Sequence, residues 1–328
     1  MNKSNKVSIL VPIFGVEKYI ERCARSLFEQ TYDNIEYIFV NDCSKDNSMK
    51  VLESLIKAYP KRKKQIHIIN HDINKGLAAS RNTAVNYCTG DFIMHVDSDD
   101  YLDLDTVECT MREQQRGNYD IVSFGFYKEY KNKTIVQNPI NIVNPIEMCK
   151  AIIERNAFIG IWGRLYKTKL YKENGIYASE GNNMGEDYQI APCLMFYADS
   201  IYNLQIPKYH YNLMNEGSYV NSISIEKNRQ LINSSNCMFA FFEQNKMFDK
   251  SVYIGKLKVG IILLENCVKG NLGADIFKEY RFYIRNIPFN YYTSLSIQQK
   301  VIFFIKNYYI LKALLGIITR LNFFKLLF

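Results

Sequence analysis

The first hundred residues alternate short apolar runs with segments in which apolar residues recur every three or four positions. The apolar runs have the length of β-strands, and they are VSILVPIF (7–14), IEYIFV (35–40), IHIIN (66–70) and FIMHV (92–96). Helical spacing follows the first three runs, beginning near Ile20, Ser48 and Leu77. This alternation predicts right-handed crossovers and an α/β fold, with a mainly parallel sheet covered by helices on both faces.

Beyond residue 103 the pattern is less regular. It predicts a helix at 103–116, a strand at 120–130, a loop with strand character at 131–144, and helices near 145–156 and 186–197. The remainder is predominantly helical in pattern. We therefore divide the chain into three regions, 1–103, 104–225 and 226–328.

Each predicted strand of the first region ends in polar or conformationally special residues. These are Phe14 to Glu17, Asn41 and Asp42, Asp72 to Gly76, and Asp97, Ser98 and Asp99. In open α/β sheets, ligands bind outside the carboxyl ends of the strands. The four strand ends therefore predict one binding site along a single edge of the sheet.

The segment Asp97-Ser98-Asp99 is a candidate metal site. Alternate side chains of an extended segment point the same way, so the two aspartates can converge. Their charges would repel by roughly 1–4 kcal/mol without a cation, and Mg²⁺-type sites use one or two carboxylates together with substrate phosphates. Three other interpretations stay open: Asp100 or Asp103 caps the next helix, the acids form a calcium loop, or they are plain surface acids. The calcium loop has Leu102 where it requires Gly.

Phosphate binding at this edge would need a metal and scattered basic groups, because no GxxxxGK[ST] or GxGxxG motif is present. Lys75 and Arg81 are placed to supply the basic groups, although Arg81 could equally be a solvated helix residue. Asp42 could accept the ring N–H of a uracil, or it could form an Asx turn that caps the next helix.

Two long runs closely resemble the nucleotide-binding half of glycosyltransferase family 2, the inverting nucleotide-sugar enzymes of GT-A fold. They are VSILVPIFGVEKYIERCARSLFEQTYDNIEYIFVNDCSKDNS (7–48) and NKGLAASRNTAVNYCTGDFIMHVDSDDYL (74–102), within a match over about 6–105. The resemblance implies a Rossmann-like GT-A domain, whose nucleotide-sugar half is 1–103 and whose acceptor half is 104–225. A mostly helical C-terminal extension would follow at 226–328.

The same resemblance assigns roles to residues at the predicted edge. It makes Asp97-Ser98-Asp99 the DxD motif, with Asp99 the direct ligand of Mn²⁺ or Mg²⁺ and Asp97 beside it. It implies that the nucleoside site is lined by Pro12, Phe14, Glu17 and Asp42. Facing the uridine and diphosphate would be Lys75, Gly76 and Arg81. The chain departs from the family at Cys43, where Gly is usual.

The segment GIWGRLYKTKLYKENGIYASEGNNMGEDYQI (160–190) resembles the acceptor segment of that family. Inverting transfer is an in-line displacement, so a carboxylate must take the proton of the acceptor hydroxyl. The resemblance implies Asp187 as base, with Glu186 binding or orienting the acceptor, although both could simply favour the helix dipole. Trp162 either stacks on an acceptor sugar or belongs to the core. His210 either reaches the metal or is a packed or surface histidine.

The positive charge is concentrated in one part of the chain, and the cysteine content indicates the cellular compartment. After residue 250 there are eleven Lys and Arg against three acids, so the formal charge of +8 belongs to the C-terminal region. The tail 300–328 predicts either an interfacial helix on anionic lipid or a helix docked on the body. The eight cysteines include no CxxC pair, and no apolar signal region precedes the first strand. We therefore expect a cytoplasmic protein with reduced thiols.

Together these features predict a metal-dependent inverting glycosyltransferase. It would move a hexose or N-acetylhexosamine from a UDP-sugar to a hydroxyl of a saccharide or lipid-linked oligosaccharide, in surface polysaccharide synthesis. We expect it on the inner face of the cytoplasmic membrane, with no nucleic-acid partner. One alternative is a glycoside hydrolase, although each acid pair consists of sequence neighbours. The other is a non-catalytic nucleotide- or membrane-binding adaptor.

Overall fold

The first part of the chain forms four strands and three helices in strict alternation. The computed structural model describes residues 5–215, 217–219 and 222–325. Its first elements are β1 (Val7–Ile13), α1 (Ile20–Phe28), β2 (Ile35–Asn41), α2 (Ser48–Ala58), β3 (Ile66–Asn70), α3 (Leu77–Tyr87) and β4 (Phe92–His95). These strands pair in parallel in the order β3-β2-β1-β4. The predicted alternation is confirmed, with boundaries within one or two residues.

The second region adds strands to the same sheet. Its elements are β5 (Tyr101–Leu102), α4 (Thr106–Gly117), β6 (Ile121–Tyr130), β7 (Lys133–Gln137), α5 (Pro145–Ile153), β8 (Arg164–Lys167), α6 (Lys169–Lys172), α7 (Glu186–Phe196) and β9 (Ile201–Asn212). The strand order continues from β4 through β8, β6 and β9 to β5, with β7 paired on β6. Antiparallel pairing begins between β4 and β8. The sheet is therefore parallel where the nucleotide-binding half was predicted and mixed beyond it.

The third region is helical, as predicted. It contains α8 (Ile225–Phe242), α9 (Asp249–Lys269), α10 (Ala274–Tyr283), α11 (Ile297–Phe304) and α12 (Tyr308–Lys325). Helix α9 packs against α5, α8, α10, α11 and α12, and its Leu257 and Leu264 are fully buried. Ile302, Tyr308 and Leu311 are buried as well, so α11 and the start of α12 dock on the body. Within the described residues, no helix is long and apolar enough to cross a membrane.

Strands β8 and β9 were not predicted from the sequence, and the segment before α4 differs from its prediction. Asp100 is 1% exposed, and it accepts hydrogen bonds from the Tyr209 hydroxyl at 2.7 Å and the Asn212 N–H at 2.8 Å on β9. Helix α4 has no side-chain cap. The prediction that Asp100 or Asp103 caps this helix is therefore wrong, because Asp100 fastens β9 to the end of β4.

A buried carboxylate joins three chain segments at the end of the sheet opposite the predicted site. Glu36 is 2% exposed. Its oxygens accept hydrogen bonds from the Ser8 hydroxyl at 2.5 Å, from Thr89 and from the Gly90 N–H at 2.9 Å, and they pair with the Lys6 ammonium at 2.5 Å. Burial alone would raise the pKa of Glu36, but these bonds outweigh it and lower the pKa to about 2.

Replacing Glu36 is expected to remove an acid-sensitive part of the stability. Because the folded pKa is about 2 and the unfolded value about 4.5, the ionised carboxylate stabilises the fold above pH 4.5. That contribution, up to about 3 kcal/mol, is lost as the pH falls from 4.5 to 2. In urea titrations, Glu36→Gln should lower the free energy of unfolding at pH 7 and flatten its decline over that window. Glu53→Gln on the exposed face of α2 is the control, and equal curves for the two variants would contradict the prediction.

Candidate active site

The carboxyl ends of β1, β2 and β4 open onto a cavity of about 620 Å³. Its walls come from both sequence regions. The first region contributes the residues after β1, Asp42, the start of α3 and Asp97 to Asp99; the second contributes β6, the 158–162 loop, the start of α7 and residues around 211–219. The predicted binding edge therefore forms one wall of the cavity, and residues of the second region form the opposite wall.

A single buried guanidinium connects the two sides of this cavity. Arg81, one turn into α3, is 3% exposed. Its Nη2 donates to Asp97 at 2.8 Å, and its Nη1 donates to Glu186 at 2.5 Å and to Asp187. Burial would lower the pKa of Arg81, but the three carboxylates raise it well above its usual value. Arg81 is therefore a permanent cation that joins the end of β4 to the start of α7, and the solvated-helix interpretation is wrong.

The acid pair at the start of α7 lines the cavity, with Glu186 buried and Asp187 partly exposed. Gly185 precedes it with φ +85°, a conformation that turns the chain into the helix. Burial raises the pKa of Glu186, and so does the charge of Asp187 beside it. Burial also raises the pKa of Asp187, while Arg81 opposes the shift in both acids. The pKa of Glu186 is raised to about 8, so this acid pair favours one bound proton near neutral pH.

Asp97 and Asp99 both line the cavity. Asp99 accepts a hydrogen bond from the Asn215 side chain at 2.8 Å, and burial and the charge of Asp97 raise its pKa. Within the described ranges, no set of three or more His, Cys, Asp or Glu residues is arranged to hold a metal. Two carboxylates still fit a hard cation whose remaining ligands are phosphate and water. The chain thus offers the donor type that such an ion needs, and a substrate would have to complete the set.

Asp42 organises the turn that leads into α3. It is 3% exposed, and its carboxylate accepts from the His71 ring at 2.8 Å, the Lys75 N–H at 2.8 Å and the Gly76 N–H at 2.7 Å. Gly76 itself has φ +88°, and a Cβ there would collide with the Asn183 side chain. Asp42 therefore lines the cavity while holding the backbone of residues 75–76 in place.

The residue after Asp42 explains the sequence departure noted there. Cys43 has φ +58°, the left-handed conformation that glycine adopts freely and that costs other residues roughly 1–2 kcal/mol. The turn keeps the geometry that a glycine would adopt.

Asp42 does not cap the next helix. The N–H of Ser48, at the start of α2, donates to Asp46 at 3.1 Å. The interpretation of Asp42 as a cap of α2 is therefore wrong.

The other predicted nucleotide-site residues divide into two groups. Pro12, Phe14, Gly76 and Ser98 line the cavity. Phe14 is 55% exposed, a large apolar ring open to solvent at the cavity mouth. Glu17 and Lys75 lie outside the cavity walls: Glu17 accepts from the Asn47 N–H at 2.9 Å, and the Lys75 side chain is exposed.

Residues 8–177, more than half of the chain, match the family described as Glycosyl transferase family 2. The chain belongs to this family. It is therefore a glycosyltransferase, and the hydrolase and adaptor alternatives fall away. EpsJ of Bacillus subtilis strain 168, described as an uncharacterized glycosyltransferase, is 28% identical over 291 residues, which cover 84% of this chain and 82% of EpsJ.

Solved structures of other glycosyltransferases show the same fold. TarS of Staphylococcus aureus, residues 1–349 in complex with UDP-GlcNAc, superimposes with a TM-score of 0.58 at 19% identity, covering 89% of this chain and 93% of that one. The mannosyltransferase PcManGT of Pyrobaculum calidifontis, in complex with GDP-Man and Mn²⁺, gives 0.56 at 14% identity, covering 95% and 87%. The predicted GT-A fold of this glycosyltransferase is confirmed.

Trp162 of this glycosyltransferase belongs to an aromatic cluster beneath the cavity. It is 6% exposed and stacks on Tyr209 with ring centroids 4.4 Å apart. Phe126, Phe158 and Tyr211 surround it within 5.1 Å. Its core role is established by this packing. Because it also lines the cavity, contact with an acceptor sugar stays a prediction.

His210 does not meet the carboxylates of the cavity. Its ring is stacked between Tyr101 at 4.1 Å and Tyr127 at 4.6 Å. One ring nitrogen is 2.9 Å from Glu129 and the other 2.9 Å from Asp103. Both nitrogens are occupied, and the residue is outside the cavity walls. The structure thus corrects its assignment as a metal ligand, and the packed-histidine interpretation applies.

Several cavity residues were missed by sequence reasoning. They are Lys128, Gln137, Asn183, Tyr211, Asn215 and Tyr219. Asn183 could have been found from its position three residues before the acid pair. In the structure its side chain accepts from the Ala78 N–H at 3.0 Å, at the start of α3. Lys128 and Gln137 reach the cavity only through the pairing of β6 with β7, which their isolated sequence does not reveal.

Removing the central guanidinium should destabilise the protein in a pH-dependent manner. Arg81→Gln leaves the buried Glu186 and the partly exposed Asp97 and Asp187 without their guanidinium, and breaking a buried pair costs about 3–5 kcal/mol. The pKa values of Glu186 and Asp187 are already raised and would rise further, so the loss should be larger at pH 8 than at pH 5.5, where these two acids can take up protons. Urea titration measures it, with the exposed Arg112→Gln as control. A loss independent of pH would contradict the interpretation.

Proposed function

We propose that this glycosyltransferase moves a hexose or N-acetylhexosamine from a UDP-sugar to a hydroxyl of a saccharide acceptor, with inversion and with a divalent cation. The observation that carries the proposal is the pairing of two acid sets within one cavity. Asp97 and Asp99 stand at the end of β4, and Glu186 and Asp187 stand at the start of α7. One set suits a charged leaving group, and the other suits an acceptor hydroxyl.

The donor half of the proposal rests on the first wall of the cavity. Pro12, Phe14, Asp42 and Gly76 offer an apolar surface and polar backbone groups for a planar base. The solved TarS complex contains UDP-GlcNAc, which supports a uridine donor for a chain of the same fold. Asp97 and Asp99 would hold Mn²⁺ or Mg²⁺, which when bound supplies positive charge to the diphosphate.

The acceptor half rests on the acids of α7. We assign Asp187 as the base that takes the proton of the attacking hydroxyl, and Glu186 as the residue that orients the acceptor. Burial raises the pKa of Asp187 toward the working pH, which makes it a stronger base than a solvated carboxylate. Arg81 holds both acids in position, and Trp162 offers an aromatic edge at the same wall.

The C-terminal helices support a position at a membrane. Large apolar side chains are exposed there, and they are Phe282, Phe289, Ile297, Phe304, Tyr309 and Ile310. Lys306 and Lys312 are exposed among them, and Arg285 lies over the ring of Phe282 at 3.6 Å. Apolar rings beside cations suit an anionic lipid surface. A cytoplasmic enzyme bound there could act on a lipid-linked oligosaccharide.

Measuring UDP binding and sugar transfer on the same variants tests the donor and base assignments separately. Wild-type protein with UDP-sugars should release UDP only with Mn²⁺ or Mg²⁺ present. Asp99→Asn should weaken metal-dependent UDP binding at least tenfold. Asp187→Asn should bind UDP normally and lose transfer by at least a hundredfold, since the amide oxygen can still accept from Arg81 but the side chain can no longer take a proton.

Lys131→Gln, on the exposed turn after β6, is the matched control for these variants. The donor assignment fails if UDP binds equally well with chelator. The base assignment fails if Asp187→Asn retains transfer within tenfold of wild type.

Membrane binding is tested with vesicles and the full chain. Co-sedimentation with anionic vesicles should exceed that with neutral ones and should fall with added salt. The double change Ile297→Glu and Phe304→Glu should lower it at least fivefold, because it places charge on the exposed face of α11. Val143→Glu changes an equally exposed apolar residue elsewhere and should have no effect. Equal sedimentation of both variants would refute a lipid-binding role for these helices.

A further inference from the structure

A second cavity, of about 360 Å³, adjoins the first. Phe126, Gln137, Phe158 and Ile159 line both cavities, so only a thin wall of side chains separates them. An extended molecule with its reacting end in the first cavity would meet this wall and the second cavity beyond it.

The second cavity is positively charged. Arg155 and Arg164 line it, and no Asp or Glu is among its lining residues. Neither arginine forms an ion pair with a carboxylate in the part of the chain that the structure describes. The nearest acid in sequence, Glu154, is engaged elsewhere, accepting from the Ser251 hydroxyl at 2.7 Å and the Asn156 amide at 2.9 Å. Two cations thus line one cavity that has no acid among its lining residues.

Unused hydrogen-bonding groups belong to the walls of the same cavity. The Nη1 of Arg155, the Nε of Arg164 and the hydroxyl of Ser123 are buried and have no hydrogen-bond partner among the residues that the structure describes. Buried polar groups are nearly always paired, and each exception requires a reason. Arg164 otherwise donates to the carbonyls of Phe158 and Gly160, which shapes the wall between the cavities. Three unpaired donors around one charged cavity are groups that an anion could engage.

The backbone conformation of Arg155 also supports a binding role for its side chain. It follows the last turn of α5 with φ +52°, where glycine would be relaxed and another residue costs roughly 1–2 kcal/mol. Its guanidinium lies over the Tyr188 ring, 4.7 Å from the centroid, which fixes its direction. Strain of this kind marks sites where a side chain serves a purpose other than stability.

We propose that the second cavity binds a phosphate group carried by the acceptor, while the acceptor hydroxyl lies in the first cavity. Guanidinium groups bind oxyanions through charge-assisted hydrogen bonds. Phosphate has enough oxygens to accept from both arginines and from Ser123 at once, whereas a carboxylate has two. The inference rests on the proposed function for the identity of the acceptor, but the phosphate site itself can be tested without it.

Binding of inorganic phosphate to the full chain is the direct test. Titration calorimetry without UDP and again with saturating UDP and Mg²⁺ separates the second cavity from the first. Phosphate should bind in both cases and at least tenfold more tightly than acetate. Arg155→Gln should weaken it at least tenfold, and the exposed Arg112→Gln should not. Arg155→Gly relaxes the backbone, so it should fold and should show the same loss.

Phosphate affinity within twofold of wild type in both Arg155 variants would overturn the proposal, as would the absence of binding to wild type. Failure of wild type to bind UDP would instead refute the proposed function and leave the phosphate result standing. KM is then measured for a phosphorylated saccharide acceptor and for its dephosphorylated form. Arg155→Gln should raise the KM of the phosphorylated acceptor, relative to that of the dephosphorylated one, at least tenfold. An unchanged ratio would show that the cavity does not bind the phosphate of the acceptor.

Discussion

The guanidinium of Arg81 is the contact on which the site depends, because it pairs directly with three acids from distant parts of the sequence. A cation removed from water is costly unless its partners are well placed, so the ends of β4 and α7 must both be ordered for either to be stable. Asp97 belongs to one side and Glu186 and Asp187 to the other. The same contact therefore couples folding of the two regions to assembly of the cavity.

This coupling also sets the electrostatics available for chemistry. One guanidinium among three acids leaves excess negative charge at the cavity, and Asp99 adds to it. Under the proposed function, that charge would be neutralised by a divalent ion that also binds the diphosphate. The second cavity has the opposite imbalance, with Arg155 and Arg164 and no acid. Neighbouring cavities of opposite sign would orient an acceptor that is neutral at one end and anionic at the other.

Elements with a regular local pattern of apolar residues were predicted from the sequence. Elements that depend on pairing between distant strands were missed. Strands β1, β2 and β4 are mainly apolar because both of their faces are buried, and the edge that they share follows from parallel topology. β9 was missed, since IYNLQIPKYHYN has no regular period and pairs with β6 through a register shift. The error at Asp100 has the same origin, because its partners are on β9. His210 was misplaced for a related reason, as its stacking on Tyr101 and Tyr127 needs β5 and β6 beside it.

Residues with a double role show why site assignment from sequence has a limit. Asp42 was assigned to the nucleoside, and it does line the cavity, yet its measurable bonds run to His71 and to the backbone of residues 75–76. Holding that turn places Gly76 and the start of α3, and through α3 it places Arg81. A carboxylate can thus line a binding cavity while its hydrogen bonds fix the neighbouring backbone. The left-handed turn at Cys43 serves the same end, and there the strained conformation is accepted without the glycine that would relieve it.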